Sequence, residues 1–131
     1  MNELGVVGFG HVGTYIKNME VSKRFYMGIL GFEILYECYH EHSGNRLCFL
    51  KNKDCVVELV QFKIGKNRGD GIFDHLTIEV EDIGKAKEYL EGRGIVFESE
   101  IQLDPQLGKN GMYYVMFRGP DGEHLQITQT F

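Results

Sequence analysis

The chain repeats itself, and that constrains its fold more than any other feature. The stretch HVGTYIKNMEVSKRFYMGILGFEI, from His11, lines up with HLTIEVEDIGKAKEYLEGRGIVFE, from His75, at an offset of 64 residues. Each copy opens with a histidine on a stretch of alternating apolar and polar residues, the period of a β-strand. Each then passes through a polar turn into an amphipathic helical segment, stops at a glycine, and starts a new strand. Asn18 and Asp82 suit helix N-caps, because a short side-chain oxygen there can accept from the first free backbone N–H groups. Gly31 and Gly94 suit left-handed C′ positions, where a residue without Cβ carries no steric penalty.

Three strand-like stretches follow each helix: 32–40, 46–51 and 55–62 in the first copy, and 95–101, 112–118 and 123–130 in the second. Turn residues separate them, among them Ser43-Gly44-Asn45 and Gly119-Pro120-Asp121-Gly122. The pattern predicts an α+β fold of two βαβββ modules that pair to form a cupped mixed sheet. The boundaries fall at residues 1–62 for module one, 63–72 for a linker and 73–131 for module two, within one domain of ordinary size.

The totals exclude some functions. A net charge of −5 with no basic cluster argues against nucleic acid or an anionic membrane as partner. Neither a leader-like segment nor an apolar run of membrane-spanning length is found. The cysteines, Cys38, Cys48 and Cys55, are odd in number and lack metal-type spacing, which points to reduced thiols in a cytoplasmic protein. Cys48 and Cys55 are expected to be inert.

Strand parity selects candidate functional residues, since side chains alternate across a strand. Val12, Thr14 and Ile16 form one face of the first strand, and Leu76, Ile78 and Val80 do so in its counterpart; these should pack on the helices. His11 and His75 then face the concave side. In the last strand, Leu125 and Ile127 are the packing set, so Gln126 points inward with His124 and Thr128, and Glu123 does not. Glu58 is a lone charge in the apolar run CVVELVQF, and a buried carboxylate needs a counter-charge or a metal. Two histidines, one glutamate and one glutamine suit a divalent ion such as Zn, Ni, Co, Mn or Fe. His40, His42 and His124 lie in or beside turns and are read as solvated. Lys109 and Arg118 are candidates to hold an anionic substrate.

HVGTYIKNMEVSKRFYMGILGF, VVELVQF, DHLTIEVEDIGKAKEYLEGRGIVF and FRGPDGEHLQI together resemble the vicinal oxygen chelate superfamily, the group of glyoxalase I, bleomycin-resistance proteins and dioxygenases. The similarity is closest to bacterial lactoylglutathione lyase-like proteins. The resemblance implies metal ligands on the first and fourth strands of each module: His11, Glu58, His75 and Gln126. It also implies a homodimer with ligands from both chains. The bacterial glyoxalase I pattern carries glutamate where this chain has Gln126, and a neutral amide cannot act as a base. Any carboxylate base on the metal is therefore Glu58. The expected function is that of a metal-dependent lyase or isomerase acting on a small vicinal-oxygen substrate through an enediolate. Alternatives are a metal-free antibiotic-binding protein, with Tyr15, Phe62, Tyr113 and Tyr114 as aromatic lining, and an Fe(II) dioxygenase.

Overall fold

The structure is a computed structural model that describes residues 3, 5, 9–41, 43–63, 70–71, 73–105 and 110–131. Most of the expected linker, His42 and Lys109 lie outside these residues. Module one runs β1 (Val12–Ile16), α1 (Met19–Lys23), a wider π-helical stretch (Arg24–Ile29), β2 (Glu33–His40), β3 (Asn45–Asn52) and β4 (Cys55–Gln61). Module two runs β5 (Leu76–Glu79), α2 (Ile83–Glu91), β6 (Gln102–Asp104), β7 (Met112–Arg118) and β8 (His124–Thr130). Each module forms its own four-stranded mixed sheet, ordered β1-β4-β3-β2 and β5-β8-β7-β6. In both, the first strand lies parallel to the last.

The helix ends form where the residues call for them. Asn18 Oδ1 accepts from the Val21 N–H at 3.1 Å, and Asp82 Oδ1 accepts from the Lys85 N–H at 3.1 Å. Gly31 and Gly94 have φ of 76° and 89°, the left-handed region where a side chain is strained. Two expectations are corrected. The first helix does not stay α-helical to its glycine: from Arg24 it widens, which brings Phe25 and Tyr26 together into the core. The stretch 95–101 is not a regular strand. Only Phe97 bridges to Phe117 there, and the edge strand β6 begins at Gln102.

Of the residues that parity sets toward the helices, Ile16, Leu125 and Ile127 are buried, and Val12, Leu76, Ile78 and Val80 pack partly buried against them; β4 and β7 supply further core residues. Val57 and Leu59 of β4, Val115 and Phe117 of β7, and Leu125 and Ile127 of β8 are buried in one cluster. The modules are tied by polar contacts from the first helix to the β7–β8 turn. The Lys17 N–H and the Ser22 hydroxyl donate to the Asp121 carboxylate, at 3.0 and 3.3 Å. The Tyr26 hydroxyl donates to Glu123 Oε2 at 3.0 Å. In return, the Tyr89 hydroxyl of α2 donates to the Ile29 carbonyl. Among the described residues no helix is long and apolar enough to cross a membrane.

Candidate metal centre

The register of the strands sets out the site. In sheet one, Gly13 of β1 lies opposite Glu58 of β4, Glu58 opposite Phe49 of β3, and Phe49 opposite Tyr36 of β2. That row crosses the face turned away from the core. A Cβ at Gly13 would come within 3.3 Å of Glu58 Oε1, so the glycine leaves room for the carboxylate. Beside it, His11 Nε2 stands 3.5 Å from Glu58 Oε1, and its ring meets Phe49 edge-on at 5.0 Å. Two donors each about 2.1 Å from a single ion stand roughly 3.0–3.4 Å apart. At 3.5 Å the pair stands just beyond that spacing, so a small closing shift would let its nitrogen and oxygen share one divalent ion.

Sheet two repeats the arrangement with different chemistry. Thr77 of β5 lies opposite Gln126 of β8, the positions of Gly13 and Glu58 in sheet one. The Thr77 hydroxyl donates to Gln126 Oε1 at 2.7 Å, and Gln126 is 8% exposed. The amide oxygen keeps a second lone pair. His75 Nδ1 meets Asp74 Oδ2 at 2.9 Å, and this bond holds the Asp74 carboxyl below its usual range. A carboxylate on Nδ1 fixes the tautomer that leaves Nε2 free to ligate.

Thus the structure brings His11 to Glu58 and sets His75 at the residue before β5, whose neighbour β8 carries Gln126. It does not gather His11, Glu58 and His75 into one cluster within the chain. Among the described residues, the group of three donors that converges is Asp70, Asp74 and His124.

His124 corrects an expectation. Its ring is not solvated: the side chain is 10% exposed and lies between Asp74 and Glu98. Residue-by-residue reading missed this setting because Glu98 and Arg118 reach it through tertiary packing. The adjacent pair Asp74-His75 was the only local signal. Arg118, expected as an anion holder, is already engaged by Asp70 (2.6 and 3.0 Å) and Glu98 (3.1 Å).

A cavity of about 500 Å³ opens between the modules, lined by β1, by residues Phe73–Leu76 and by the β7–β8 turn. Glu123 faces it from behind the turn. Burial raises its carboxyl above the usual 4.5, outweighing the hydrogen bonds from the Asp121 N–H and Tyr26.

The family model of the glyoxalase/bleomycin resistance protein/dioxygenase superfamily matches residues 8–127. The chain belongs to that superfamily. The uncharacterized protein YaeR of Escherichia coli (strain K12) is 32% identical over 130 residues, covering 95% of this chain and 97% of that protein. A glyoxalase family protein from Enterococcus faecalis superposes with a TM-score of 0.79 at 25% identity, over 93% of this chain and 97% of that one. The fosfomycin resistance protein FosX of Listeria monocytogenes, solved with Mn(II) and sulfate, superposes at 0.72 with 12% identity, over 96% and 94% of the two chains. This last likeness concerns the fold alone. The α+β, two-module architecture is that of the superfamily.

Proposed function

We propose that the protein is a metal-dependent lyase or isomerase of glyoxalase I type, acting on a small substrate with two adjacent oxygens. The observation that carries this reading is the 3.5 Å approach of His11 Nε2 to Glu58 Oε1 on the face away from the core. His11 and Glu58 would hold the ion together with His75, and Gln126 would add its amide oxygen. When bound, a divalent ion of the Zn, Ni, Co, Mn or Fe group supplies a Lewis acid for vicinal oxygens.

Glu58 is the carboxylate base of this set. It takes a proton from one substrate carbon and returns it to the adjacent one, while the neutral Gln126 cannot. Phe49, opposite Glu58 on β3, with Tyr36 stacked on it at 4.6 Å, forms an aromatic wall on that side of the site.

The chain acts as a homodimer in this reading, each site taking His11 and Glu58 from one chain and His75 and Gln126 from its partner. Support comes from the two half-sites lying on separate sheets and from β2, an edge strand exposed along its whole length. An exposed apolar edge invites pairing, and Tyr36 on it is 55% exposed.

The test is an isomerase assay over hemithioacetals of methylglyoxal with several thiols. Glu58→Gln should lower turnover by at least about a hundredfold, the usual contribution of a positioned base, with an unchanged circular dichroism spectrum. Retained turnover in the folded variant would refute this role.

A further inference from the structure

We propose a second divalent-cation site, separate from the His11–Glu58 centre, formed by His124 Nδ1 with the carboxylates of Asp74 and Asp70. The ligand atoms of these three residues lie within 4.8 Å of one another. Acidic residues alone would not make a site. The deciding feature is the His124 ring, nine-tenths buried and aimed into the cluster.

Glu98 faces Nε2 at 3.3 and 3.4 Å. In the tautomer that donates to Glu98 from Nε2, Nδ1 presents its lone pair to the cluster. Nδ1 is buried without a hydrogen-bond partner. It stands 3.3 Å from Asp74 Oδ2, outside hydrogen-bonding geometry. Nδ1 and the half-exposed Asp74 carboxylate face one another across that gap, and their spacing matches two ligands on one ion, roughly 3.0–3.4 Å apart.

The surroundings supply the support that metal ligands usually have. Glu98 orients His124, as carboxylates orient ligating imidazoles. His75 Nδ1 holds Asp74 at 2.9 Å. Arg118 grips both oxygens of Asp70, at 2.6 and 3.0 Å, leaving their outer lone pairs free. One imidazole and two carboxylates suit Zn²⁺ or another borderline ion.

The repeat sharpens the point. Gln126 is the equivalent of Glu58, so His124 is the equivalent of Val56, two residues earlier. Module one folds with valine at that position, so the strand does not need histidine for packing. An ion here would pin Asp70 and Asp74 to the start of β8, and Asp74 itself orients His75.

The test is calorimetric titration of untagged, chelator-treated protein with Zn²⁺. Wild type should take two equivalents per chain. His124→Val, which copies module one, should take one, and so should His11→Ala; the double variant should take none. Asp70→Asn, at an exposed position, serves if His124→Val fails to fold and should also lose one equivalent. If either His124→Val or Asp70→Asn titrates like wild type while folded, the second site is refuted and the His124–Asp74 contact is a proton-mediated one. If His11→Ala keeps both equivalents while His124→Val loses one, the second site stands and the His11–Glu58 centre fails.

Discussion

Glu123 and Glu79 show how single carboxyls make stability depend on pH. The Glu123 carboxyl is raised above 4.5 by burial. In the window just above that value the folded chain binds more protons than the unfolded one, so this group's contribution falls as pH rises. Glu79 behaves in the opposite way. Burial pulls it upward, but hydrogen bonds from the Thr128 hydroxyl and from the N–H and hydroxyl of Thr130 outweigh that and hold it below 4.5. Its contribution is present above 4.5 and is lost as pH falls through its depressed value. Urea midpoints measured across pH 4 to 7 check both signs. Relative to wild type, Glu123→Gln should gain most near neutrality, and Glu79→Gln should lose most there. Tyr26→Phe, which leaves Glu123 Oε2 without its donor, should cost about 1–2 kcal/mol.

Among the elements, the helix ends were the most legible part of the sequence. Asn18, Asp82, Gly31 and Gly94 act locally: a cap or a left-handed turn is decided by a few neighbouring residues. Gly31→Ala should therefore destabilise by about 1 kcal/mol, measured by thermal or urea unfolding, because φ is 76° there. Strand parity was equally legible where one face is buried, as in β1 and β5. The stretch 95–101 misled because Ile95, Phe97 and Ile101 pack against the core without a continuous ladder, and an apolar pattern does not distinguish these cases. The π-helical widening at Arg24–Ile29 left no sequence signal, since it reflects how Phe25 and Tyr26 fit the core. His124 was misread for a related reason: a residue after a turn is exposed only if nothing packs over it, and Glu98 does.

For the whole molecule, the repeat made the two modules and their shared core readable, because internal duplication carries architecture directly. How the half-sites combine was not readable. In the proposed dimer it depends on surfaces such as β2, whose exposed tyrosines form no periodic signature. Sharing between chains makes a sharp prediction. His11→Ala and His75→Ala chains, each inactive alone, should regain activity when mixed through unfolding and refolding. Random pairing in a twofold dimer leaves one intact site in half the dimers, about a quarter of wild-type activity. No recovery in a mixture shown to exchange chains would place both half-sites within one chain.

The measurement that reaches the central claim most directly is the Zn²⁺ stoichiometry of untagged His11→Ala beside wild type. The account predicts one ion fewer per chain in the variant, with the fold intact by circular dichroism. Equal stoichiometry in the two proteins would contradict it, and the His11–Glu58 pair would then be an ordinary surface contact.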